Sequence, residues 1–135
     1  MVRCMLIVTD SLKYETGDDM KWKIVFNRYI PIKGYVALTQ IPFIFVRESA
    51  RHKYNDVADR HERIHARQQL EITPLIFDLL YVLFYIIMLI RYRDRRVAYM
   101  NNPFEREAYA NQDNDRYLSG RSWCSWVRYI RNHSE

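Results

Sequence analysis

His61-Glu62-Arg63-Ile64-His65 carries the residue types and spacing in this chain best suited to chemistry. On a helix, residues four apart lie one above the other on the same face. His61 and His65 can therefore offer two imidazole nitrogens to one divalent ion, and Glu62 can reach a water on it. Zinc binds imidazole at about 2.0–2.1 Å and in catalytic sites keeps a position open for water. It acidifies that water, and a carboxylate beside it can take the proton.

A helix must hold these three residues in phase. Val57-Ala58-Asp59-Arg60 precedes the motif and Ala66-Arg67-Gln68-Gln69-Leu70-Glu71 follows it, with no Gly or Pro before Pro74. These are mostly good helix formers. The same His-Glu-x-x-His spacing is the zinc signature of metallopeptidases. Catalytic zinc takes three protein ligands as a rule, so a third is required. No His lies shortly downstream, and the next is His133. The segment 102–111 offers acids instead. Asn102 and Pro103 form an N-cap and first-turn pair, and Glu105, Arg106, Glu107 and Ala108 favour helix. Glu105 and Glu107 are both available.

Here the chain resembles the gluzincins, zincin-like metallopeptidases that pair His-Glu-x-x-His with a Glu on a later helix. In several branches that Glu sits in a Glu-x-Glu-Ala pattern, which Glu105-Arg106-Glu107-Ala108 matches. The resemblance implies Glu107 as the third ligand of one zinc ion, with Glu105 the runner-up, and Glu62 as the catalytic base. From about Met20 to the C-terminal Trp/Arg segment, the chain also resembles a family of small, largely uncharacterised bacterial zincin-like proteins. The shared pieces are residues 26–35, residues 61–69, an apolar aromatic stretch and residues 104–111. Asp59, Arg63 and Arg67 depart from the metallopeptidase pattern, which commonly has uncharged residues around the histidines. That departure points to the alternative of a non-catalytic membrane or scaffold protein with a structural metal, or none.

The 135 residues fit one domain, and 49% hydrophobic and 15% aromatic residues can build a core. Three Gly and four Pro argue against a loop-dominated chain. Cys4 and Cys124 make no disulfide framework or zinc knuckle. The net charge of +5 is spread along the sequence without a nucleic-acid motif, so no nucleic-acid partner is expected; the apolar segment makes a membrane surface the better one, and the resemblance implies a peptide or protein substrate. Residues 1–19 read as an extension of the kind a misplaced start site produces, or as an added edge strand over residues 4–9; residues 20–135 form the domain.

Residues 23–26 and 41–46 are short β-branched and aromatic runs, expected to form a small antiparallel hairpin. An edge strand there suits main-chain pairing with an extended substrate. Residues 72–90 are apolar and, at about 19 residues, reach the ~17–25 needed to span a bilayer. Asp78, Tyr81, Tyr85 and Tyr92 recur at helical spacing as a thin polar stripe, with Asp78 expected against a partner helix, an Arg or a Tyr. A simple crossing would put His65 and Glu107 on opposite sides. Arg60, Arg63 and Arg67 before the segment and Arg91, Arg93, Arg95 and Arg96 after it fit two ends facing the cytoplasm. The expectation is a helix that lies in or dips into the cytoplasmic face of the inner membrane, or a buried helix of a cytoplasmic protein. Trp123, Trp126, Val127 and Ile130, beside Arg121, Arg128 and Arg131, predict a short amphipathic helix. The fold class expected is α+β: hairpin, metal helix, long apolar helix, then short C-terminal helices.

Overall fold

The computed structural model describes residues 22–131. The extension 1–19, the strand expected over residues 4–9, Cys4 and His133 lie outside them. The expected α+β class is what the structure has: a small sheet followed by helices.

The sheet holds β1 (Lys23–Asn27), β2 (Ala37–Gln40) and β3 (Phe43–Arg47) in the order β1-β3-β2. Its pairing differs from the expected hairpin. β1 runs parallel to β3, with Val25 opposite Phe45. The antiparallel partner of β3 is β2, with Thr39 opposite Ile44. β2 has no strand signal of its own because Ala-Leu-Thr-Gln contains no apolar run, and the intervening strand leaves the two apolar runs parallel. Ile44, Val46 and, opposite Ile44, Thr39 are buried, so the sheet turns one face inward by the two-residue alternation of a strand.

α1 (Asp56–Ile72) carries the His-Glu-x-x-His motif. The Asn55 side chain caps it by accepting from the Ala58 N–H at 3.0 Å. Thr73 ends it at φ 68°, and Pro74 opens the next helix at a position that needs no N–H donor. Gln69 locks α1 to the hairpin: its amide donates to Thr39 O at 2.8 Å and accepts from Ile41 N at 3.0 Å.

α2 (Pro74–Tyr92) is long and apolar enough to cross a membrane, and only 11% of that stretch is buried. One face packs on the domain: Phe77 joins Phe104 and Trp126 in a core cluster, with Leu80, Tyr81 and Phe84 against it. The other face leaves Leu75, Leu79, Val82, Leu83, Ile86 and Ile90 exposed. Among the described residues no hydrogen bond joins Asp78 to an Arg or a Tyr; it accepts from Gln40 Nε2 at 3.2 Å, at the end of β2.

Arg93 closes α2 in the left-handed region at φ 55°, and Asp94 caps the short α3 (Arg95–Met100). Asn102 and Pro103 start α4 (Pro103–Asn111) as cap and first residue. The Asn102 amide also donates to Tyr81 O at 3.0 Å, which holds α4 against the middle of α2. The two short helices α5 (Tyr117–Gly120) and α6 (Arg128–Arg131) complete the described chain. No continuous amphipathic helix forms at the C-terminal end of the described residues. Cys124 adopts φ 52° and leads into a 3-10 turn, so Trp126 enters the core while Trp123 faces outward.

Candidate metal centre

α1 and α4 bring together the residues that sequence spacing singled out, with one exchange. His61, His65 and Glu105 are buried, and one ligand atom from each lies within 4.8 Å of the others. His61 Nε2 and His65 Nε2 are 3.1 Å apart. Glu105 Oε2 is 3.2 Å from His61 Nε2, and Glu105 Oε1 is 3.3 Å from His65 Nε2. Ligands at about 2.0–2.1 Å in tetrahedral geometry stand about 3.3 Å from one another. The two imidazoles and the carboxylate thus stand close enough together to hold one metal ion, and a donor set of two imidazoles and a carboxylate fits zinc among other divalent ions.

Glu107, the ligand implied by the gluzincin pattern, is elsewhere. A helix turns about 100° per residue, so two residues apart means about 200° of rotation. Glu105 shares its face with Tyr109 and Gln112, at i, i+4 and i+7. All three meet His61: Glu105 as above, Tyr109 with ring centroids 4.6 Å apart, and Gln112 Oε1 at 3.0 Å from Nδ1. Glu107 points away into a buried ion pair, with Oε1 2.5 Å from Arg121 Nε. Arg121 also pairs with Glu71. The third member of the cluster is therefore the runner-up, Glu105.

The charges of the cluster shape one another. Burial alone would lower the pKa of His65, but the Glu105 carboxylate outweighs it and holds the imidazole at about 9. Burial would raise Glu105, yet the two imidazoles hold it well below the usual carboxylate range. Glu62 is pushed up by burial, against the pull of His65, His61 and Thr39. Its Oε2 accepts from Thr39 Oγ1 at 2.7 Å, so β2 fixes the carboxylate beside the histidines. Asp59 and Arg63, which break the usual pattern, pair with each other at 2.6 Å along α1.

Sequence reasoning missed several residues of this centre. Gln68 and Gln112 hold the two Nδ1 atoms, Tyr81 donates to Glu105 Oε1 at 2.7 Å, and Thr39 holds Glu62. Gln68 was legible as the i+3 neighbour of His65; nothing local marks Thr39.

A cavity of about 980 Å³ opens onto the centre, with His61 and Glu62 in its wall. Tyr85, Tyr99 and Tyr109 line it, as do Arg95 and Arg96. β2 borders it too. Thr39 turns its carbonyl away from β3 to Gln69, so by the alternation of an antiparallel strand Ala37 presents its N–H and C=O on the same outer edge. Ala37 lines the cavity. Because α4 lies against the middle of α2, the cluster is assembled beside that helix and not across its two ends.

Comparison with protein-family models, with curated proteins and with solved structures finds no match for this chain.

Proposed function

We propose that this protein is a membrane-associated zinc metallopeptidase that hydrolyses peptide bonds. The observation that carries the reading is the buried His61–His65–Glu105 cluster with Glu62 fixed beside it by Thr39. Bound there, zinc would supply Lewis acidity that polarises a carbonyl and lowers the pKa of water. Glu62 takes a proton from the attacking water and returns it to the leaving amine. Its raised pKa favours that second task as much as the first. The outer edge of β2 at Ala37 lets an extended peptide pair through main-chain hydrogen bonds. Tyr109, whose hydroxyl burial keeps protonated, offers a donor to the developing oxyanion.

The membrane placement rests on α2. Its inner face is committed to the domain through Phe77, Tyr81 and Phe84, whereas its outer face is apolar. A helix so divided suits lying along the cytoplasmic face of the inner membrane, with its polar attachments kept in protein.

Hydrolysis of a fluorogenic peptide library by zinc-loaded wild type and Glu62→Gln tests the reaction. Loss of about 10²–10⁴-fold in rate with metal retained is expected. Full hydrolysis by Glu62→Gln would sink the mechanism, and zinc binding without any hydrolysis by wild type would favour a non-catalytic metal protein.

A further inference from the structure

Gln68 is fully buried three residues after His65, and its amide can point only one way. Its Nε2 donates to Glu107 Oε2 at 2.9 Å and lies 3.2 Å from Phe104 O. Both partners only accept. The other end of the amide, Oε1, is therefore the atom 2.8 Å from His65 Nδ1. A carbonyl oxygen accepts, so Nδ1 must carry the hydrogen. A neutral imidazole has one N–H, which leaves Nε2 with a bare lone pair. That is the nitrogen turned toward His61 and Glu105.

Glu107 is equally constrained. Its Oε1 accepts from Tyr117 O–H at 2.8 Å and from Arg121 Nε at 2.5 Å. Its Oε2 accepts from Gln68 and from Arg121 Nη2 at 3.2 Å. Four donors occupy a carboxylate that has about four lone-pair sites. With a donor on each of these sites, Glu107 acts only as an acceptor and so excludes the flipped Gln68 amide. His61 differs. Its Nδ1 meets Gln112 Oε1, and among the described residues no further hydrogen bond to the Gln112 amide nitrogen fixes which end faces the ring.

We propose that Glu107 and Gln68 are positioning residues: Glu107 orients the Gln68 amide, and Gln68 holds His65 in the Nδ1–H tautomer that presents Nε2 to a metal. The inference rests on the metal centre proposed above and assigns Glu107, the acid expected to be a ligand, a role two hydrogen bonds removed from it. Partners behind a ligating histidine typically carry about 10–100-fold in metal affinity.

The test reads the tautomer directly. ¹⁵N imidazole NMR of metal-free protein in alkaline buffer is compared between wild type, Gln68→Met and Glu107→Gln, together with zinc Kd from chelator competition. Wild-type His65 is expected as the Nδ1–H form. Gln68→Met, which keeps the side-chain volume and removes both hydrogen-bonding ends, is expected to give a tautomer mixture. Zinc binding should weaken about 10–100-fold while the melting curve stays cooperative. Glu107→Gln is expected to shift the tautomer in the same direction. If that variant fails to fold, Gln68→Met decides alone. Wild-type His65 with its proton on Nε2, an unchanged tautomer in Gln68→Met, or a changed tautomer with unchanged Kd would each overturn the proposal. A wild type that bound no zinc would defeat the proposed function. The tautomer would still be decided separately, because it is read without metal.

Discussion

His61 Nε2 and His65 Nε2 face each other at 3.1 Å. Were both nitrogens bare, their lone pairs would repel at that distance. The contact is favourable only when a proton or a cation lies on the line of approach, and the Glu105 carboxylate that adjoins both nitrogens supplies the counter-charge. The cluster can therefore take up a cation in place of that proton.

Elemental analysis is expected to find zinc near one per chain in wild type, and to find it lost in His61→Ala, His65→Ala and Glu105→Ala. Glu107→Ala separates the two carboxylates. As a residue that acts through Gln68, Glu107 should lower affinity without abolishing zinc at saturating concentration. Zinc lost from Glu107→Ala and kept by Glu105→Ala would return the ligand role to Glu107.

The metal-free cluster should leave a signature in stability against pH. His65 has its pKa raised from 6.5 to about 9, because the Glu105 carboxylate outweighs burial. A group raised on folding stabilises the protein below its unfolded value and loses that contribution as pH rises through the folded one. Melting temperature of chelator-treated protein is thus expected to fall as pH climbs from 6.5 through about 9. Glu105 is held low and contributes in the opposite sense, losing its share only in strong acid. Saturating zinc takes the place of the proton and should flatten the alkaline decline. Glu105→Gln should flatten it as well, since it removes the charge that raises His65. A decline of equal size in Glu105→Gln would mean that another group titrates.

Much of this arrangement was legible in the sequence, for reasons that also show where legibility stopped. The metal helix announced itself through His61 and His65 at i and i+4, the Asn102-Pro103 start of α4 through its cap chemistry. The choice between Glu105 and Glu107 was a matter of helical phase. Tyr109 and Gln112 fall on the face of Glu105, a cue present in the sequence but not decisive until His61 was seen to meet all three. The strand β2 was not legible because Ala-Leu-Thr-Gln contains no apolar run, and the hydrogen bond from Thr39 to Glu62 was not legible because it joins residues 23 apart in the chain. Nor was the partner of Asp78: Gln40 carries no charge to suggest it.

Arg121 joins Glu71 at the end of α1 to Glu107 on α4, and its side chain is 3% exposed. One cation balances two carboxylates there. Removing it leaves both acids buried without their partner, a loss of about 3–5 kcal/mol. Urea unfolding of Arg121→Leu is expected to show a midpoint lowered accordingly. The partly exposed pair Asp59–Arg63 provides the contrast: Arg63→Leu should cost no more than about 1 kcal/mol. Equal effects of the two substitutions would show that Arg121 does not tie the C-terminal segment to the metal helices.

The outer face of α2 predicts where the protein sits. Leu75 and Ile90 are 70% and 72% exposed at its two ends, with Leu79, Val82, Leu83 and Ile86 between them. Arg91, Arg93, Arg95 and Arg96 cluster where the helix ends. An apolar stripe gains by entering the acyl boundary, and each Arg near an anionic surface adds on the order of 1 kcal/mol. The protein should therefore float with phosphatidylglycerol-containing vesicles and bind pure phosphatidylcholine vesicles more weakly, with added salt narrowing the difference. Leu79→Glu combined with Leu83→Glu puts two charges in the middle of the stripe and touches none of the core cluster around Phe77 and Phe104. That variant should keep the wild-type melting curve and zinc content yet leave the vesicles. Arg95→Glu with Arg96→Glu should lose only the preference for anionic lipid. If the double-glutamate α2 variant floated as wild type does, or wild type stayed in solution with both lipids, the stripe would not be a lipid-facing surface and the peptidase reading would have to stand without a membrane.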